Sequence, residues 1–180
     1  ADVITFHTPL TADGTYPTLH LCDTAFVRSL RRAPIVINAA RGPVTDTEAL
    51  LQGLNDSLIR AAVIDTWEGE PNINRDLAER ADIATPHIAG YSREGKARAT
   101  AMALDAVCGF FGLPHMSPVG APDIPAEDLR PGAAPMLIDL RQGAERLLLD
   151  TARLRANPNN FETLRSTYDL RPEPRSAVAN

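Results

Sequence analysis

The hydrophobic residues in the first half of the chain form short apolar runs that alternate with amphipathic stretches. These runs are residues 3–6, 35–37, 59–64 and 82–85. Short runs rich in Val and Ile are typical of strands in a buried parallel sheet. Between them, Asp23 is placed to cap a helix, and Thr45 to Glu48 has the spacing of a capping box. The pattern therefore predicts an α/β fold with right-handed βαβ crossovers.

The second half of the chain follows a different pattern. It begins with a long predicted helix that Ser92 caps and that Gly112 and Pro114 end, with an apolar stripe from Met102 to Phe111 that we expect to pack in a core. Six prolines between residues 114 and 135 then predict a linker. The remainder predicts smaller elements: a strand at 136–138, a helix through Leu147–Leu154, a turn at 157–160, a short helix at 161–168 and a frayed tail at 171–180.

Composition and charge narrow the possible partners and surroundings. The net charge is −5, which gives no electrostatic reason to expect a nucleic acid or an anionic membrane as partner. No apolar run is long enough to span a bilayer, and the opening residues lack a signal-peptide pattern. Cys22 and Cys108 match no metal or redox spacing, and the four histidines add no metal-ligand pattern. We therefore expect no metal site and two buried free thiols in a reducing cytoplasm.

Polar, turn-rich segments follow each of the four predicted strands. The first strand runs into His7-Thr8-Pro9 and the second into residues 38–42, which include Arg41. The third runs into Asp65 and then residues 67–71, which include Glu70, and the fourth runs into residues 85–90, which include His87. The carboxyl ends of parallel strands share one edge of the sheet, where ligands bind. An arginine, a carboxylate and a histidine at that edge suit an anionic substrate and a proton transfer.

Each of these residues also has a plain structural explanation. Arg41 could be a surface residue beside a tight turn, and Glu70 could be a solvated loop acid. His87 could be an ordinary loop histidine, and Asp65 could cap the next segment. Their joint placement at one edge favours the functional interpretation. We interpret His20 and His115, which lie in ordinary loop sequence, as structural or solvated.

Four blocks of sequence resemble the D-2-hydroxyacid dehydrogenases, in the order and spacing of that family. The blocks are ADVITFHTPL at 1–10, NAARGPV at 38–44, DTWEGEP at 65–71 and TPHIAG at 85–90. Three further segments narrow the resemblance to members with a phosphorylated substrate: residues 18–21, 67–71 and 89–98. In addition, residues 161–168 resemble the dimerisation domain of such members. The resemblance is dense over residues 1–112 and thinner over residues 113–180.

The resemblance implies a role for each matching residue. Arg41 is similar to the arginine that grips the substrate carboxylate, His87 to the histidine that transfers a proton, and Glu70 to its paired acid. Tyr91 matches a substrate contact. A further set matches positions that line an NAD site: Thr8, Ala39, Ala40, Arg41, Asp65 and Gly90. The implied cofactor is NAD, the implied substrate is a small phosphorylated 2-hydroxy acid, and the implied assembly is a homodimer.

The resemblance also implies a division of the chain. Residues 1–90 are expected to be the C-terminal part of a Rossmann-type NAD-binding domain, and residues 91–112 a crossover helix to a substrate domain. Residues 113–180 are expected to form a linker and a small α+β dimerisation domain.

The family's glycine-rich pyrophosphate turn precedes its first block, and no GxGxxG occurs in these 180 residues. We therefore expect the 180 residues by themselves to be inactive, with an open sheet edge and an uncovered apolar face. Two other interpretations stay open at this point: a D-2-hydroxyacid dehydrogenase with another substrate, and a non-catalytic chain that only dimerises.

Overall fold

A computed structural model describes residues 1–114 and 140–171, without the side chains of residues 140–142. The chain divides into two compact units. Residues 1–89 and 144–167 belong to the first unit, and residues 90–143 and 168–180 to the second. The predicted strand at 136–138 and residues 172–180 of the predicted tail lie outside the described residues, as does most of the proline-rich segment.

A four-stranded parallel sheet forms the centre of the first unit, which confirms the predicted fold class. Its strands are β1 (Val3–Phe6), β2 (Ile35–Asn38), β3 (Ala61–Ile64) and β4 (Ile83–Ala84), and their order in the sheet is β1-β2-β3-β4. Asn38 at the end of β2 lies in register between Phe6 and Ile64. The carboxyl ends of the strands therefore share one edge, as the sequence predicted.

Three short helices connect these strands: α1 (Thr24–Ser29), α2 (Thr47–Asn55) and α3 (Arg75–Arg80). Asp23 caps α1 as predicted, because its carboxylate accepts from the Phe26 amide. The predicted capping box at Thr45 is wrong. Asp46 caps α2 and accepts from the Glu48 and Ala49 amides, while the Thr45 hydroxyl is occupied by the Asn38 amide 3.0 Å away.

Helices α5 (Leu140–Ala156) and α6 (Phe161–Ser166) return to the first unit. Leu154 and Phe161 are fully buried in the same core as Val36, Leu50 and Ile64. The sequence placed residues 144–167 in a separate C-terminal domain. They lie instead with residues 1–89, because burial of Leu154 and Phe161 against that core removes their apolar surface from water.

Helix α5 also supplies polar groups to the β4 side of the sheet. The Thr151 hydroxyl accepts from the Ala84 amide at 3.1 Å. The Arg155 guanidinium donates to the carbonyls of Ala78 and Ala81. At β4, α5 thus supplies an acceptor to one strand amide, that of Ala84. On the other side of the sheet, β1 pairs only with β2 among the described residues, so the expected open edge stays a prediction there.

We expect Thr151→Val to lower the free energy of unfolding by about 1–3 kcal/mol, because an isosteric side chain leaves the buried Ala84 amide without its acceptor. Urea denaturation followed by circular dichroism measures the change. Thr163→Val is the matched control, since Thr163 is exposed on α6. Equal stability of the two variants would contradict a role for Thr151 at β4.

The second unit contains the long helix α4 (Arg93–Phe111). Its predicted ends are confirmed: Ser92 accepts from the Gly95 amide, and Gly112 ends the helix with a φ of +64°. The predicted core stripe is wrong, because Met102, Val107 and both terminal phenylalanines are exposed. Ala101 and Cys108, which a spacing of seven places on one face, are buried instead. None of the helices among the described residues is both long and apolar enough to cross a membrane.

Candidate active site

His87 and Glu70 form a close pair at the carboxyl edge of the sheet. The His87 Nδ1 lies 2.8 Å from the Glu70 Oε2, and their side chains are 27% and 23% exposed. The other carboxylate oxygen accepts from the Trp67 amide at 2.8 Å, so both oxygens of Glu70 are held. Nε2 of His87 has no hydrogen-bond partner among the described residues. This nitrogen is therefore available to accept a hydrogen bond from a substrate hydroxyl.

The turn that carries His87 is built around the carboxylate of Asp65. Oδ1 of Asp65 accepts from the Thr85 hydroxyl at 2.6 Å and from the Ile88 amide at 2.8 Å, and Oδ2 accepts from the Ala89 amide at 3.0 Å. His87 itself has a φ of +55°, a conformation that side chains rarely adopt. Asp65 therefore stabilises the unusual backbone that aims the histidine.

Burial raises the pKa of Asp65 above its ordinary value, against the opposing effect of the three hydrogen bonds and of His87. Two acceptor positions on Oδ1 and one on Oδ2 are occupied by these protein groups. A carboxylate has about four such positions, so about one remains for another donor.

Trp67, for which the sequence predicted no role, links the two loops that carry the pair. Its indole Nε1 donates to the Thr85 carbonyl at 2.9 Å, and its backbone amide donates to Glu70. A buried tryptophan needs an acceptor for its indole, and this requirement was the available signal in the sequence. The identity of the acceptor depends on the neighbouring strand.

The turn that carries Arg41 packs against the same loop. A Cβ atom added to Gly42 would lie 1.9 Å from the Trp67 carbonyl oxygen, so only glycine permits this approach. Arg41 is exposed, and its Nη1 donates to the Ala40 carbonyl at 2.7 Å. The structure therefore places the Arg41 turn against the loop that holds Glu70, which is in turn bonded to His87.

A second histidine–carboxylate pair lies beside this site. The His20 Nε2 is 2.6 Å from the Glu68 Oε1, and the Glu68 Oε2 accepts from the Thr47 amide at 2.8 Å. Burial raises the pKa of Glu68, but the hydrogen bonds from Thr47 and His20 outweigh it, and the pKa lies below its ordinary value. His20 thus has a definite structural partner, in keeping with its interpretation from sequence.

We expect Glu68→Gln to lower the free energy of unfolding at neutral pH by about 1 kcal/mol or less, because the pair is partly exposed. A lowered pKa contributes stability above the unfolded value and loses it as pH falls through the folded value. The difference from wild type should therefore shrink on acidification to about pH 3. Urea titrations at both pH values test this, with exposed Glu79→Gln as control. A difference that grows on acidification would contradict the assignment.

The positions that the resemblance assigns to a cofactor fall into two groups. Thr8, Ala39, Ala40 and Asp65 follow the carboxyl ends of β1, β2 and β3. Thr8 Oγ1 is buried without a hydrogen-bond partner among the described residues, so it is available to a bound group. An unpartnered hydroxyl, small side chains and a carboxylate with spare capacity fit the amide and hydroxyl groups of a dinucleotide.

Gly90 and Tyr91 begin the second unit. The centroid of the Tyr91 ring lies 6.2 Å from that of the Tyr168 ring. The Lys96 Nζ lies 3.8 Å from the centroid of the Tyr91 ring. A Cβ atom at Gly90 would meet nothing within 4 Å among the described residues. Packing therefore does not explain the glycine at this position.

Comparison with known proteins identifies the class to which this site belongs. Residues 1–89 match the family model described as D-isomer specific 2-hydroxyacid dehydrogenase, NAD binding domain. These residues belong to that family and form part of an NAD-binding domain.

The chain is also similar to individual members of the family. It is 48% identical to the erythronate-4-phosphate dehydrogenase of Bacteroides thetaiotaomicron over 97% of this chain and 49% of that protein. It is 53% identical to the enzyme of the same name from Escherichia coli over 62% of this chain and 30% of that protein. The chain thus spans about half the length of the first of these relatives, and less of the second.

Solved structures agree with the fold. The holo form of D-mandelate dehydrogenase from Rhodotorula graminis is 28% identical, with a TM-score of 0.54, over 67% of this chain and 35% of that one. D-lactate dehydrogenase with NAD+ from Lactobacillus jensenii is 26% identical, with a TM-score of 0.52, over 67% of this chain and 40% of that one.

Proposed function

We propose that the protein carrying this chain oxidises 4-phospho-D-erythronate with NAD to 3-hydroxy-2-oxo-4-phosphooxybutanoate, as a step of pyridoxal 5′-phosphate biosynthesis. The observation that carries the proposal is the 2.8 Å pair of His87 and Glu70 at the carboxyl edge of the sheet. The turn of Arg41 packs against the Glu70 loop. The substrate is chosen because two relatives named erythronate-4-phosphate dehydrogenase are 48% and 53% identical to the chain.

The pair suits the proton transfer that oxidation of a 2-hydroxy acid requires. Neutral His87 accepts the hydroxyl proton on Nε2, since its Nδ1 is engaged by Glu70. Glu70 accepts a hydrogen bond from Nδ1, holds the ring in that tautomer and stabilises the imidazolium that forms. The Trp67 amide keeps the carboxylate in place during this change of charge.

Arg41 suits the substrate carboxylate, because a guanidinium donates two parallel hydrogen bonds to its two oxygens. Such a clamp would fix the orientation of the carbon that loses its hydride. NAD supplies the hydride acceptor when bound. We propose that Thr8, Ala39, Ala40, Asp65 and Gly90 line its site together with Arg41, and that Tyr91 contacts the substrate.

The test is an assay of the full-length natural protein for NADH formation with 4-phospho-D-erythronate, D-lactate and D-mandelate. We expect kcat/KM for the phosphorylated substrate to exceed the others by about 100-fold or more, which corresponds to roughly 2.7 kcal/mol. A preference for an unphosphorylated acid would retain the class of reaction and overturn the substrate. Absence of NAD reduction with every acid would overturn the function.

We also propose that the protein is a homodimer, with the leucines of α5 in its interface. Leu147, Leu148 and Leu149 are all at least 40% exposed, whereas Thr151 and Leu154 of the same helix are buried. The three leucines leave apolar surface in contact with water, and association would cover it.

We expect Leu148→Glu to dissociate this dimer, because a charge in an apolar interface loses its hydration without gaining a partner. Light scattering measures the molecular mass, and Thr163→Glu, at an exposed position of α6, is the control. Truncation before α5 is unsuitable, since it also removes Leu154 and Phe161 from the core. A Leu148→Glu protein that keeps the mass of the dimer would place the interface elsewhere.

A further inference from the structure

Asn38 is a buried polar residue at the end of β2, and its side chain makes hydrogen bonds to the turn that follows. It is fully inaccessible to solvent. Its Nδ2 donates to the Arg41 carbonyl and to the Thr45 hydroxyl, both at 3.0 Å, with the Gly42 carbonyl at 3.4 Å. Its Oδ1 accepts from the Ala40 amide at 3.1 Å. One side chain therefore bonds to the backbone on both sides of the Cα atom of Arg41.

This arrangement helps to hold the Arg41 backbone. The segment from residue 39 to residue 46 contains no strand or α-helix, but it includes a 3-10 helix at Gly42–Val44, in which the Val44 amide donates to the Arg41 carbonyl at 3.1 Å. Asn38 adds a second donor to that carbonyl and the acceptor for the Ala40 amide. The carbonyl of Asn38 accepts from the Asp65 amide at 2.9 Å, which anchors Asn38 to the β3 loop. The side-chain amide of Asn38 thus bonds to the Arg41 turn, while its backbone carbonyl bonds to the loop after β3 that carries Asp65 and Glu70.

We propose that Asn38 is the positioning residue for Arg41 in the binding of the substrate carboxylate. The inference rests on the proposed function of Arg41. Asn38 is buried and so acts through the turn, without touching the substrate. An apolar residue of similar size would leave the Ala40 amide without this acceptor and the Arg41 carbonyl with the Val44 amide alone, and the turn would relax. A displacement of about 1 Å at a binding group is enough to reduce catalysis by about 100-fold.

The experiment compares Asn38→Asp and Asn38→Ala with wild type in the full-length protein. Asp keeps the acceptor for the Ala40 amide and loses the donor to Arg41, whereas Ala loses both. We expect the KM for the 2-hydroxy acid to rise about tenfold or more in each variant, while the KM for NAD changes less than about threefold. The pH profile of kcat, which reports the proton-transfer pair, should keep its shape.

Thr151→Val is the matched control for a general loss of stability, because it also removes a hydrogen bond of a buried side chain but lies on α5. Its KM values should stay within about twofold of wild type. In an Arg41→Lys background, the effect of Asn38→Ala on the KM should disappear, because the clamp is already lost. A KM effect that persists in that background, or that Thr151→Val reproduces, would show a merely structural role and overturn the inference.

A crystal structure of Asn38→Ala supplies a readout that does not depend on turnover. The Cα atom of Arg41 should move by about 1 Å or more relative to Glu70 and His87, and an unmoved Arg41 would overturn the inference. If neither Asn38 variant folds, Thr45→Val removes one partner of the same amide. It should then raise the KM for the hydroxy acid, and an unchanged KM would overturn the inference. An inactive wild type would be a failure of the proposed function alone, since the crystallographic readout still stands.

Discussion

Replacing His87 by asparagine is expected to lower kcat by a factor of about 10²–10⁴, the range that general acid–base catalysis contributes. Asparagine is the appropriate replacement because it tolerates the positive φ of this position better than most residues. The loss should appear in kcat and in kcat/KM alike, since the proton transfer belongs to the transition state. Steady-state NADH formation measures both parameters.

The chain offers an unusually close control for this variant. His20 also has a positive φ and also lies against a glutamate, with its Nε2 2.6 Å from Glu68. His20→Asn should leave kcat within about threefold of wild type, a change below roughly 1 kcal/mol. Similar losses in the two variants would mean that disturbed loops, and not a missing base, explain the effect at His87.

A double-mutant cycle with Glu70→Gln extends the same prediction. If Glu70 acts through His87, the double variant should be no slower than His87→Asn alone, because the carboxylate has nothing left to orient. Effects that add in free energy would mean that the two residues act independently, and the pair would not be a functional unit.

Arg41→Lys is expected to reduce kcat/KM by about 100-fold or more, although the positive charge is retained. A lysine ammonium cannot donate two parallel hydrogen bonds to a carboxylate, and its flexible stem holds no fixed geometry. Kinetics with the 2-hydroxy acid measure the loss. Arg60→Lys is the control, because Arg60 is exposed and lies just before β3, at the opposite end of the strand from the site. Activity of Arg41→Lys within about threefold of wild type would exclude Arg41 from substrate binding.

Local pattern was sufficient for the four strands and for helices α1 and α2, but it did not predict α3 between β3 and β4. The short apolar runs placed all four strands, and the polar residues after them marked the edge where His87, Glu70 and Asp65 meet. The predicted packing of the apolar stripe of α4 in a core was wrong, because the spacing of apolar residues identifies an apolar face but not whether another element covers it. The predicted placement of α5 and α6 in a separate domain was also wrong. Their apolar residues could have packed against any apolar surface, and the sequence did not reveal that the core of residues 1–89 buries Leu154 and Phe161.

The contacts within the site show the same division. The sequence by itself determined which chemical groups are present and that parallel strands bring their ends together, since both follow from residue type and strand connectivity. Only the tertiary structure decided that the Trp67 indole bonds to the Thr85 carbonyl and that His87 pairs with Glu70. These hydrogen bonds join separate loops, and each requires a donor–acceptor distance that is correct to a few tenths of an ångström. Such distances are set by packing across the strands, and no local pattern of residues encodes them.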